Sequence, residues 1–437
     1  MSAPGILGLN ALDARHQHLL ALGVSTNQIS LPCGLPAELW SMILDHLYDD
    51  HKALLSCLLA CRVWGDFCRY HLYEAFSWSY LDKFDEDACS AFHPHPRFVR
   101  RFVISGSLCY GVSPDETEWL LPLAQRLDQF VSVAVLEFDS FEWDDVIGTT
   151  AWDKFTAARN FLSQIKDLNL SNVPLQPFRC ILENICLYPS LEKFDYLPSH
   201  VELDDDDTIL DFQSYMPSRS WHTISTENAP HVLPTFGLWT WLSAITFTSL
   251  QTIRLDFVPK SDLPSLSNYL RLLGGVLKSF RIRFAAPRDV YDFLESNALA
   301  NSTGLERLDL AGLLRQYNDD QLWAGEESFK FFTILPSTSL SVLKFILNPR
   351  DSQSPSPGPS RLCAIDELLA TSGKFSLLRD VHLRGLISQE TFEEQCRTSK
   401  QPTTSSRITG VRRAFGFYQI QPQWDLPMYL GARKRNT

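Results

Sequence analysis

A six-residue pattern, apolar-x-x-apolar-x-apolar, returns at roughly 30-residue intervals along most of this chain. Its copies are Val99-Phe102-Ile104, Val133-Leu136-Phe138, Ile165-Leu168-Leu170, Leu191-Phe194-Tyr196, Leu250-Ile253-Leu255, Leu277-Phe280-Ile282, Leu305-Leu308-Leu310, Leu340-Leu343-Phe345 and Leu378-Val381-Leu383. The interval from Leu191 to Leu250 is about two periods, and Trp221-x-x-Ile224 lies near its middle as a weaker copy. Within each copy the last two apolar residues are two apart, which places them on one face of a β-strand. A period of this length points to a stack of units, because one copy alone buries too little apolar surface to be stable.

Helical patterns fall between the strands, at 152–164, 178–188, 263–274, 290–300, 326–335 and 365–371. Alternation of strand and helix predicts a parallel sheet with right-handed crossovers, and the short period predicts a curved α/β solenoid. The alternative is an ordinary doubly wound α/β domain, against which no glycine-rich phosphate loop follows any of these strands. The strand pattern resembles that of leucine-rich repeats. The asparagine of that family stands clearly at Asn172 alone, so the copies are degenerate.

A different pattern occupies residues 35–72. Leu35, Leu39, Ile43 and Leu47 recur at steps of four with Trp40 and Leu44 beside them, the wide apolar stripe of an amphipathic helix. Pro36 suits a first helical turn. A polar run from Tyr48 to Lys52 follows, and Asp49 or Asp50 can cap a second helix carrying Leu54, Leu55, Leu58, Leu59 and Cys61. Trp64, Phe67, Cys68 and Leu72 continue at helical spacing. Three short helices with so many apolar faces cannot cover themselves in so small a module, and something else must cover the remainder.

The order Leu35-Pro36-x-Glu38-Leu39, Ile43-Leu44-x-x-Leu47, Leu54-Leu55 and Ala60-Cys61-Arg62-x-Trp64 resembles the F-box. The turn after Leu47 is longer than in that family, and Ala60 stands where it usually has valine. The resemblance implies docking on the Skp adaptor of a cullin-RING ubiquitin ligase. Leu35, Pro36, Leu39, Ile43, Leu44 and Trp64 would contribute to that contact or to the packing that shapes it. The expected organisation is an N-terminal helical segment (1–30, with Leu12, Leu19, Leu20 and Leu22 apolar), the F-box (31–80), a connector (81–96), the repeat domain (97–420) and a tail (421–437).

The chain has 437 residues, enough for several modules, and its net charge of −12 argues against a general nucleic-acid binder. The N-terminus lacks the basic and apolar regions of a signal peptide, and the apolar run at 236–247 is too short to span a bilayer. A soluble protein of the cytoplasm or nucleus is expected. The ten cysteines form no paired framework; Cys57 and Cys61, four apart, read as core thiols rather than metal ligands. His93 and His95, each followed by proline, read as a loop, and the acidic run 204–207 as a solvated one. Residues 351–360, rich in serine and proline, and 397–406 read as flexible insertions. The cluster Glu142, Asp144 and Asp145 reads as a turn, and no hydrolase, metalloprotease or nucleotide motif is present. No cofactor and no catalysis are expected.

The chain is thus similar to the F-box proteins with repeat domains found in fungi, which implies a substrate receptor. The alternatives are a repeat scaffold outside any ligase and an unrecognised α/β hydrolase. On the outward positions of the strands, acidic residues predominate in the early copies. In the later ones Arg254, Arg281, Arg283, Arg307, Lys344 and Arg384 outnumber Asp256, Asp309 and Asp380. A target bearing an acidic or phosphorylated segment would suit these cations.

Overall fold

The computed structural model describes residues 37–48, 50–60, 62–79, 95–106, 119–141, 143, 146–173, 178–198, 212–226, 237–284, 287–311, 335, 339–346, 375–384 and 412–413. Two units are distinguished, 1–166 and 167–437. The first opens with three helices, Ala37–Asp45, His51–Ala60 and Arg62–Leu72, and continues through β1 (Ala75–Ser79), β2 (Arg101–Ser105) and β3 (Val135–Asp139). The second holds β4 (Asp167–Val173), β5 (Lys193–Pro198), β6 (Thr223–Ser225), β7 (Thr252–Val258), β8 (Ser279–Phe284), β9 (Arg307–Ala311), β10 (Val342–Ile346), β11 (Asp380–Arg384) and β12 (Arg412–Arg413).

In each unit the strands pair in chain order and in parallel. A doubly wound domain reverses its strand order at a switch point. Among the described residues no such reversal occurs within either unit, so the α/β fold is sequential rather than doubly wound.

The repeat is built on one recurring contact. The carbonyl of the second residue in a copy accepts two successive backbone N–H groups of the next copy: Glu74 from Arg100 and Arg101, then Arg100 from Ala134 and Val135. In the second unit Glu192, His222, Gln251, Lys278, Glu306 and Ser341 accept in the same way. A carbonyl's two lone pairs thereby lock adjacent copies in register. Wherever burial is described, the apolar positions of the expected copies, from Val99 to Leu378, are inside. The contact also reveals a copy absent from the expected set, Tyr73-x-x-Phe76-x-Trp78, which forms β1.

Helices connect several strands, with ends set by local chemistry. Of the expected segment 152–164, the helix runs Thr150–Ala157, with the Thr149 side chain accepting from the Trp152 N–H at 3.2 Å. Ala158 leaves helical geometry at ψ 62°, and a short turn Arg159–Leu162 follows. Phe178–Cys186 stops before Pro189, Leu263–Leu273 stops at Gly274 (φ 51°), and Pro287–Glu295 is followed by Asn297 in left-handed backbone (φ 50°). The run at 236–247 contains a helix, Leu238–Ala244, with Leu238, Trp239, Trp241 and Leu242 buried. The helical expectations at 1–30, 326–335 and 365–371 fall on or mostly on residues outside those described. So do the connector up to residue 94, the stretches 204–207, 351–360 and 397–406, the residues Glu142, Asp144 and Asp145, and the tail.

Left-handed backbone recurs at the ends of strands, at Ser140 (φ 52°), Asn172 (φ 53°) and Phe257 (φ 57°). In β4 and β7 it coincides with a β-bulge. The turn after β3 crowds the end of β2: a Cβ on Gly106 would overlap the Ser140 carbonyl and stand 2.9 Å from the Phe141 Cα. Both are backbone atoms that cannot rotate away. Gly106→Ala is therefore expected to destabilise the first unit by about 1–3 kcal/mol, measured as a shift in its denaturant midpoint.

Candidate docking surfaces

The three opening helices close a small core of Leu44, Leu54, Phe67 and Cys68, with Leu47, Cys57, Leu58, Trp64 and Leu72 packed around it. Asp50 caps the second helix, its carboxylate accepting the Ala53 N–H at 2.9 Å. His71 Nε2 lies 3.0 Å from Asp45 Oδ1 and ties the third helix to the first. The Trp40 and Trp64 rings pack with centroids 4.6 Å apart. Burial, with Cys57 beside it, pushes the Cys68 thiol up to about 11, which makes it a core group. Among the described residues no group of His, Cys, Asp and Glu is arranged to hold a metal ion.

The six residues expected at an adaptor contact divide in three ways. Leu44 and Trp64 belong to the core cluster. Leu39 and Ile43 are more than two-fifths exposed. Leu35 and Pro36 lie outside the described residues. Met42, beside Leu39 and Ile43 on the same helical face, is exposed as well. The second helix adds Leu55 and Leu59, four apart, with Leu59 87% exposed. Sequence periodicity missed these three because it counts apolar positions without showing which side of a wide stripe meets the core.

On the outward face of the second unit, register brings Arg254 opposite Arg281 across β7 and β8. Asp309 of β9 stands opposite Arg281 on one side and Lys344 on the other. Arg384 stands opposite Ile346. Asp256, in the β7 bulge, is almost wholly buried, and its carboxylate is shared by Arg281 Nη2 at 3.7 Å and Arg283 Nη1 at 3.5 Å. Arg283 also lies over the Phe257 ring, 4.9 Å from its centroid. Arg307 pairs with Asp309 at 3.1 Å. Reversing the charge of Arg281 and Arg283 together would set two carboxylates against the buried Asp256, so that change perturbs the fold as well as the surface. Earlier in the same unit Lys193 bonds Asp195, and burial raises the pKa of nearby Asp167.

No protein-family model matches the chain, and no curated protein matches it. Among solved structures it is similar to the TLR13–ssRNA13 complex, at 12% identity over 68% of this chain with a TM-score of 0.36. It spans 34% of that TLR13 chain. It is also similar to a Bacteroides fragilis protein, at 10% identity over 79% of this chain and 76% of that one, TM-score 0.28. A third similarity is to the Rad7 and Elc1 complex of yeast, at 12% identity over 95% of this chain and 98% of that one, TM-score 0.32. Likenesses this low bear on neither function nor partners. No helix among the described residues is long and apolar enough to cross a membrane.

Proposed function

We propose that this chain is the substrate-receptor subunit of a Skp-cullin-F-box ubiquitin ligase. Its three opening helices would dock on the Skp adaptor, and its repeats would hold a target protein while other subunits transfer ubiquitin. One observation carries the reading. The helical module has a closed core, yet keeps Leu39, Met42 and Ile43 on its first helix and Leu55 and Leu59 on its second exposed. Apolar side chains gathered on the outer faces of a small module mark an interaction surface, and they fall within the segment that resembles the F-box. The parallel repeats of the second unit supply a further surface of alternating outward side chains, suited to protein binding.

The test is reconstitution. Full-length chain and purified Skp adaptor, mixed at equal concentration, are expected to co-elute as a stoichiometric complex in size-exclusion chromatography. Separate elution would remove the ligase reading and leave a repeat-based interaction scaffold.

A further inference from the structure

We infer that Cys57 and Cys68 form a redox-sensitive clasp: a hydroperoxide closes them into a disulfide that ties the second opening helix to the third, and a dithiol reopens it. The bond itself is independent of the receptor reading; its effect on adaptor docking rests on that reading.

The two thiols belong to different helices, His51–Ala60 and Arg62–Leu72, which pack together in one core. Both are free, and they share a side-chain hydrogen bond. Sulfur atoms already in contact across two helices need only a short approach to reach the bonded distance of about 2.05 Å.

Their exposures divide the roles. Cys57 is half-buried and reaches solvent, whereas Cys68 is 0% exposed. Cys57 therefore meets the oxidant, and Cys68 meets only Cys57. Burial, with Cys57 beside it, keeps the Cys68 thiol protonated, while the Arg69 charge pulls the other way. A thiol held in this manner is inert toward oxidants in solution. It still resolves a neighbour, because attack within a preformed contact is unimolecular and gains the rate advantage of proximity. A solvent-accessible sulfur with a resolving cysteine beside it is the arrangement of a redox sensor, and in a reducing compartment such a pair stays open until oxidant arrives.

The bond forms in two steps. The Cys57 sulfur attacks the terminal oxygen of the hydroperoxide and the O–O bond breaks, which leaves Cys57 as a sulfenic acid. The Cys57 thiol proton goes to the departing oxygen, which leaves as an alcohol, or as water when the oxidant is hydrogen peroxide. The Cys68 sulfur then attacks the Cys57 sulfur and the S–O bond breaks. The released hydroxide takes the Cys68 proton and leaves as a second product, water. Two thiols have lost two electrons, and the hydroperoxide has gained them.

The clasp acts where the exposed apolar face is built. Leu55 and Leu59 flank Cys57 on the second helix, two residues to either side, and both are exposed. Leu54, one turn before Cys57, and Phe67, adjacent to Cys68, fill the core beneath. A close-packed core has no void to absorb the approach of two helices. The bond therefore shifts Leu55 and Leu59 against Leu39, Met42 and Ile43 of the first helix, and an interface spread over two helices loses complementarity when they shift.

In the experiment the full chain is treated with hydrogen peroxide, blocked with N-ethylmaleimide in denaturant and digested, and its linkages are mapped by mass spectrometry. A linked Cys57–Cys68 pair should appear and should vanish after dithiothreitol. Cys186, whose thiol burial pushes up to about 12, should stay unlinked. Cys57→Ser should abolish the linkage. Cys68→Ser should leave Cys57 as a sulfenic acid that dimedone traps, and Cys68→Ala, which puts no hydroxyl in the core, should behave the same way. Titrated against the Skp adaptor, the oxidised chain should bind at least about tenfold more weakly than the reduced one, and the Cys57→Ser chain should be indifferent to peroxide. Absence of the linked pair, a bond from Cys57 to another cysteine in its place, or undiminished adaptor binding by the linked chain would overturn the proposal. Failure of the reduced chain to capture the adaptor would end the receptor reading, and linkage mapping alone would then decide the clasp.

Discussion

Leu39→Asp combined with Ile43→Asp should abolish capture of the Skp adaptor while leaving the module folded. Both side chains are exposed and lie outside the closed core formed by Leu44, Leu54, Phe67 and Cys68. In the free protein the new carboxylates stay in water, so their effect on stability is small. In a docked complex they enter an apolar interface without partners. Loss of an interface anchor typically costs about 1–4 kcal/mol, and burying an unpaired charge costs more. Affinity should therefore fall by a factor on the order of a thousand or greater, beyond detection in a pull-down. The contrasting variant is Leu44→Ala, which removes a core side chain and should lower module stability by about 2–5 kcal/mol. Circular dichroism separates the two, since the double aspartate variant should keep its helicity. Undiminished capture by that folded variant would move the docking face away from the first helix.

The difference between Leu39 and Leu44 marks where sequence reading reaches its limit. Both sit on one apolar stripe, and their spacing predicts a helix equally well. Which side of that stripe meets the core depends on the angle of the second and third helices, through Leu54 and Phe67. The repeat was more legible because a strand has two faces and the period of two assigns each residue to one of them. That is why Phe102, Leu168, Phe280 and Leu308 could all be placed inside from their spacing.

Two elements escaped the pattern for different reasons. The copy Tyr73-Phe76-Trp78 begins immediately after Leu72, so it read as part of the helical module that precedes it. The helix Leu238–Ala244 has only about two turns, with Leu238, Trp239, Trp241 and Leu242 buried and Thr240 and Ala244 exposed, too short a stretch for a stripe to recur. At the basic patch, alternation placed Arg254, Arg281 and Arg283 on one face, and register carries Arg254 and Arg281 to adjacent places. The sharing of Asp256 was not legible, because it depends on a bulge centred on Phe257, a residue type that gives no warning of left-handed backbone.

The weakest copy in sequence holds the second large effect. Strand β6 has three residues and thus few ladder hydrogen bonds, yet Trp221 at its entry is fully buried. Its ring lies within 5.5 Å of Phe247, 6.2 Å of Phe194 and 6.3 Å of Trp241, measured between centroids. Its indole N–H donates to the Thr223 carbonyl at 2.8 Å. Trp221→Ala removes these contacts at once and leaves a cavity too rigidly bounded to collapse, so the second unit should lose about 3–5 kcal/mol. Because the chain has two units, a single melting curve mixes their transitions, and hydrogen exchange resolved by peptide is the better measurement. Amides of β5, β6 and β7 should exchange faster in the variant, while those of β1 to β3 keep their protection. Trp221→Phe, which refills much of the volume but loses the N–H donor, should fall between the two. Exchange in β5 to β7 that is unchanged by Trp221→Ala would show that Trp221 is not what holds this short strand between its neighbours.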